Sequence, residues 1–113
     1  MGSFKGQRLQ ADILKALTII FQREFLNSRY IKTLTIHEVR LTSDKRIAKI
    51  FYSTYDVNAK LENVEAEINK HLKYIKKMLA QKISARIMPE IIFVYDTALD
   101  NANRIEKLLK GDQ

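Results

Sequence analysis

Apolar positions in the first quarter of the chain recur every three or four residues: Leu9, Ile13, Ala16, Leu17, Ile20 and Phe21. That is the period of one buried helix face, so residues 8–25 are predicted to form a helix ending before Asn27 and Ser28. From 31 to 42 the period falls to two. Leu34 and Ile36 share one parity, Val39 and Leu41 the other, and the slip falls at His37 and Glu38. A slip of one residue sends side chains to the opposite face, so a β-bulge is expected there. Thr42, Ser43, Asp44 and Lys45 read as a turn, and residues 47–55, with Ile50, Phe51 and Tyr52, as the returning strand of a hairpin.

Residues 56–60 are polar and loop-like, after which Leu61, Val64, Ile68, Leu72, Ile75, Leu79 and Ile83 restore the helical period. Glu62, Glu65 and Glu67 fall in the early turns, where the helix dipole favours anions. A straight helix over 61–83 would run about 34 Å, more than a domain of this size comfortably backs, so a break near its middle is predicted. Pro89 ends the helical stretch. Residues 90–96 then alternate Ile91, Phe93 and Tyr95 with Ile92 and Val94, a strand apolar on both faces. Asp96, Thr97 or Asp100 is expected to cap a last short helix with Ala102, Ile105, Leu108 and Leu109 as its stripe. The 113 residues read as one domain, its ordered core about 8–109, with no internal repeat, linker or low-complexity segment.

Charge sharpens this picture at one place. The chain carries a formal charge of +7, and residues 69–86 hold Lys70, Lys73, Lys76, Lys77, Lys82 and Arg86 without one acidic residue. Lys70, Lys73 and Lys77 share the helix face opposite the apolar stripe. A solvated face usually intersperses both signs, so an uncompensated row points to a polyanion such as nucleic acid. Arg8 and Lys15 on the first helix, and Lys45 and Arg46 at the hairpin, are further cations of the same kind.

Other chemistries find little support. There is no cysteine, hence no disulfide, thiolate metal site or cysteine nucleophile. The three glycines stand at 2, 6 and 111, outside the predicted elements, which removes P-loops, dinucleotide fingerprints and the Gly-x-x-Gly clamp on RNA. His37 and His71 lack ligand or triad spacing and read as surface or rim residues, and no pair of carboxylates sits in apolar sequence that would raise one pKa. The expectation is a cytoplasmic, non-enzymatic protein with no cofactor, no metal, no small-molecule substrate and no membrane span. Two readings of the basic helix stay open: a contact with RNA, or a scaffold module meeting an acidic protein.

The order helix, strand, strand, helix, broken helix, strand is the αββααβ arrangement of type II KH domains, here without a GxxG loop: an α+β fold with a three-stranded mixed sheet packed against helices. Within it, Val39-x-Leu41-Thr42-Ser43-Asp44, Ala48-Lys49-Ile50-Phe51-Tyr52-Ser53 and Arg86-Ile87-Met88-Pro89-Glu90-Ile91-Ile92-Phe93-Val94-Tyr95-Asp96, with Arg104-Ile105 and Leu108-Leu109, carry a closer likeness. Over roughly residues 8–109 the chain resembles the bacterial ribosome-binding factor A family. That resemblance implies a monomeric assembly factor. It would bind the small ribosomal subunit and its RNA in late maturation, near the RNA 5′ end, and support growth in the cold. It also implies a kink between the central helices, made in the family by Ala-x-Gly. The aligned positions here are His71-Leu72-Lys73, so a kink would have to come from packing. The residues assigned to RNA are Lys70, Lys73, Lys76, Lys77, Lys82 and Arg86, together with Arg8, Lys45 and Arg46. Asp44 reads as a turn residue ahead of an RNA contact, Phe93 and Phe51 as core ahead of base stacking, and Arg86 equally as a partner of Glu90 or of a phosphate.

Overall fold

The computed structural model describes residues 2–84 and 86–96, with side chains from residue 6 onward. Helix α1 (Gly2–Glu24) is followed by a 3₁₀ turn (Ile31–Thr33), strands β1 (Leu34–Leu41) and β2 (Ile47–Thr54), helix α2 (Leu61–Lys82) and strand β3 (Glu90–Tyr95). The sheet has the order β1-β2-β3, with β1 antiparallel and β3 parallel to the central β2. The parallel pair requires a crossover, and α2 supplies it. The predicted terminal helix, with Ala102, Ile105, Leu108 and Leu109, lies outside the described residues.

Parity accounts for which sheet face is covered. Ala48, Ile50 and Tyr52 of β2 are buried beneath the helices, flanked by Val39 on one side and Ile91 on the other. The β1–β2 register shifts between Ile36 and Glu38, so the bulge stands at His37. Both apolar pairs of β1, Leu34 with Ile36 and Val39 with Leu41, thereby pack on the same core. Lys49, Phe51 and Ser53 take the opposite parity of β2. Phe51 is thus on the face that no described helix covers, where the Arg40 guanidinium lies 5.2 Å from its ring centre, and its expected place in the core is corrected. Phe93 is on the helix side, stacked on Phe21 at 5.9 Å and edge-on to Tyr52 at 6.2 Å.

The predicted break in the second long helix is absent. Helix α2 runs unbroken for 22 residues, about 33 Å by the rise per residue. His71, Leu72 and Lys73 all tolerate helical geometry, and neither glycine nor proline interrupts the ladder. The length is backed because two clusters lie end to end beneath it. Val64 and Ile68 pack with Tyr52, while Ile75 and Leu79 pack with Ile13, Leu17, Ile20 and Ile50. At its N-terminal half, Glu67 accepts from Ser28 Oγ at 3.2 Å and stands 3.3 Å from His71, whose ring meets Phe25 edge-on.

Helix α1 starts earlier than its apolar stripe, so Gly2 and Gly6 are helical rather than outside the elements. A Cβ on Gly6 would meet only Lys45 Cε, at 3.7 Å, an ordinary contact. Glycine inside a helix costs about 0.5–1 kcal/mol relative to alanine, so Gly6→Ala is expected to stabilise the protein by about 0.5 kcal/mol in urea unfolding.

Burial gives a second expectation. Tyr52 is 1% exposed, and its phenol is pushed up to about 12, chiefly by burial and then by the charges of Glu65 and Tyr95. The neutral phenol is the form the fold favours. Its contribution is complete below the unfolded value near 10 and is lost as pH rises towards 12. Between these values stability should fall by about 1.4 kcal/mol per pH unit from this group, a slope that Tyr52→Phe removes in urea titrations at pH 9 and 11.5.

Candidate nucleic-acid interface

Hydrogen bonds of the β1–β2 turn place two of the candidate cations. Thr42 N donates to Ile47 O and Lys45 N to Thr42 O, closing the turn. Asp44 Oδ1 accepts from Thr42 Oγ1 at 2.7 Å and from the Arg46 backbone at 3.0 Å. These bonds hold the Asp44 carboxyl below the ordinary aspartate value, the Thr42 hydroxyl first among them, so Asp44 has the turn role that its position suggested. Lys45 adopts a φ of 59°, the left-handed region that costs a non-glycine residue about 1–2 kcal/mol. Adopted there, it lays its side chain against Gly6 of α1.

Arg46 O accepts from Glu90 N at 2.7 Å, which ties the turn to the start of β3 and draws the α2–β3 connection alongside it. The result is an open cleft of about 970 Å³ between α1, the turn and that connection. Arg8, Lys45, Arg46 and Arg86 stand around it, over a floor that includes Leu9, Ile83 and Met88. Of these four cations only Arg46 has a carboxylate within ion-pair distance among the described residues, Asp44 at 4.0 Å. Glu90 lines the same cleft, yet Arg86 does not pair with it. Three segments far apart in sequence thus assemble one basic site that no local pattern displays.

The row on α2 is a separate surface. Lys70, Lys73, Lys77 and Lys82 are exposed, whereas Lys76 is half-buried and lines a small cleft with Asn69, Leu72, Glu65 and Phe93. Lys76 therefore stands beside the open face that Lys70, Lys73 and Lys77 share. Lys70, Lys73 and Lys77 share one face over about 10 Å of the helix, whereas Lys82 stands in the last turn on the side of the buried stripe, and Arg86 follows beyond the C-terminal end of α2 in the cleft. Among the described residues, no group of three or more His, Cys, Asp or Glu residues is placed to hold a metal, and no helix is long and apolar enough to cross a membrane.

A mixed three-stranded sheet with its helices on one face and cations gathered at one end defines a KH-like α+β domain. Two solved structures share that fold: ribosome-binding factor A from Thermus thermophilus, with a TM-score of 0.68 and 20% identity over 80% of this chain and 93% of that one, and the solution structure of a Thermotoga maritima protein described as a putative ribosome binding factor A, with a TM-score of 0.67 and 21% identity over 81% and 87%. The family model described as Ribosome-binding factor A matches residues 5–109, and the chain belongs to that family. Relatives named Ribosome-binding factor A include those of Buchnera aphidicola subsp. Cinara cedri, 32% identical over 95% of this chain and 94% of that protein, and of Clostridium perfringens strain SM101, 31% identical over 96% and 95%.

Proposed function

We propose that this protein is a ribosome assembly factor that binds the small ribosomal subunit through its RNA, as a cytoplasmic monomer without catalytic activity, during late maturation at the RNA 5′ end and in support of growth in the cold. The family supplies the ribosome, and the cleft supplies the mode of contact. The observation that carries the reading is the convergence of Arg8, Lys45, Arg46 and Arg86 on one open cleft, three of them without a carboxylate partner among the described residues. Guanidinium forks suit phosphate oxygens, and an arginine held near a surface without a partner retains its full charge for them. Lys70, Lys73 and Lys77 on one face of α2 add to the same field, with half-buried Lys76 beside them and Lys82 exposed in the last turn. Phosphate contacts of this kind position a protein on RNA by shape rather than by a base code.

Sedimentation tests the reading. An assembly factor has to leave before translation, so the protein should travel with free or immature small subunits and be depleted from translating ribosomes. Equal occupancy of both would overturn the assembly role. Binding to an acidic protein with none to ribosomal RNA would favour a scaffold instead.

A further inference from the structure

The cleft is not lined as a simple phosphate site would be. Beside its four cations stand three carboxylates, Asp12, Asp44 and Glu90. Asp44 is engaged by Thr42 and by Arg46. Asp12 and Glu90 make no side-chain hydrogen bond or ion pair among the described residues. Facing an RNA backbone, two unpaired carboxylates would only repel it. They become useful where the ligand brings N–H donors along with its phosphates. A second feature points the same way. Ile87 is 79% exposed at the cleft, with Met88, Leu9 and Ile83 beside it, an apolar surface that phosphates cannot use.

Cations, donor-seeking carboxylates and an apolar wall together match one unpaired nucleotide: phosphate, Watson–Crick edge and ring face. Resting on the RNA reading above, we infer that the cleft between α1, the β1–β2 turn and the α2–β3 connection captures a single unpaired base of the bound RNA, and that guanine fits it best. Guanine presents two adjacent donors, N1–H and the N2 amino group, which one carboxylate accepts side by side. Uracil offers one N–H flanked by two carbonyl oxygens that a carboxylate repels. Adenine and cytosine each offer one amino group beside a ring nitrogen acceptor. Arg8, Lys45, Arg46 and Arg86 would hold the flanking phosphates, and Ile87 and Met88 the face of the ring. Single-stranded RNA is commonly read in this way, on splayed bases through their Watson–Crick edges. A cleft of about 970 Å³ lies at the upper end of the range for small-molecule sites and admits a nucleotide with its neighbouring phosphates. The acid-free row on α2 would then provide affinity and the mixed cleft the choice of base.

The test uses the full chain and fluorescence anisotropy with four single-stranded RNA hexamers, uridine throughout or uridine with one internal guanine, adenine or cytosine. The guanine hexamer should bind about tenfold more tightly than the all-uridine one, with adenine and cytosine between. Asp12→Asn and Glu90→Gln together should abolish that preference without weakening binding of the all-uridine hexamer, since removing two carboxylates only favours phosphates. Ile87→Ala should weaken the guanine hexamer more than the all-uridine one. The comparison of hexamers on the unaltered protein decides the matter even where a variant fails to fold. Equal affinity for all four, or a guanine preference that survives the double substitution in folded protein, overturns the guanine site. Failure to bind any hexamer while small-subunit RNA still binds overturns it too and leaves the RNA reading standing. Loss of binding to small-subunit RNA as well would remove both.

Discussion

Replacing Arg8, Lys45, Arg46 and Arg86 together by Gln is expected to leave the protein folded and to flatten the dependence of RNA affinity on salt by about 3 in the log–log slope. Each phosphate contact contributes on the order of 0.7 to 0.9 to that slope, so four lost contacts set the magnitude. The fold should survive because Arg8, Arg46 and Arg86 are exposed and only Arg46 has an ion-pair partner among the described residues, at the outer limit of distance. The matching replacement of Lys70, Lys73, Lys76 and Lys77 should flatten the slope by less, nearer 2, since half-buried Lys76 does not share the open face. Anisotropy titrations with small-subunit RNA at several salt concentrations, beside circular dichroism melts, check both. A folded cleft variant with the slope and affinity of the unaltered protein would remove the cleft from the interface.

Phe93→Ala should cost about 3 kcal/mol, the lower end of the range for truncating a core phenylalanine, because the ring is half-buried rather than fully enclosed. Its cost comes from where it sits. Phe93 packs against both clusters under α2, stacked on Phe21 and edge-on to Tyr52, so the truncation opens a gap beneath the middle of the molecule. Thermal and urea unfolding of the free protein measure it. Phe51→Ala makes the contrast: on the uncovered face under Arg40 it should cost under about 1.5 kcal/mol, mostly lost packing and cation–π attraction. If the two substitutions cost the same, the assignment of sheet faces is wrong.

Much of the fold was legible because local rules agreed. The slip of parity at His37, the turn residues at 42–45, the onset of α2 at Leu61 and the strand after Pro89 each had a physical signal in a short window, and each is where that signal put it. Phe51 was misread although the signal was present. Lys49 and Ser53 share its parity, and two polar residues flanking an aromatic on one strand face mark that face as open. The unbroken α2 was missed for a different reason. One compact core would back only a shorter helix, whereas two clusters laid end to end support a longer one. The cleft was the least legible feature. Its cations were recognised one by one, but residue 8, residues 45–46 and residue 86 meet through the packing of α1 on β1, the left-handed Lys45 and the bond from Glu90 N to Arg46 O, which no periodicity encodes. Asp12 and Ile87 had no role assigned, and Glu90 only a pairing with Arg86, until the cavity showed what they line.

Helix α2 without a hinge has a consequence for how the protein meets a large partner. A helix divided by a flexible joint lets its two halves settle independently, each with its own ordering cost. An unbroken helix of 22 residues holds the lysine face and the cleft at one separation, as a fixed gauge does. Once one end is seated, the other is delivered at a high effective concentration, but only to RNA whose own spacing matches. On the RNA-binding function proposed above, a subunit whose RNA had moved by a few ångströms would engage one end and not both. Discrimination between stages of a maturing particle then needs no moving part in the protein, because the stiffness of one helix makes the distance itself the property that is read.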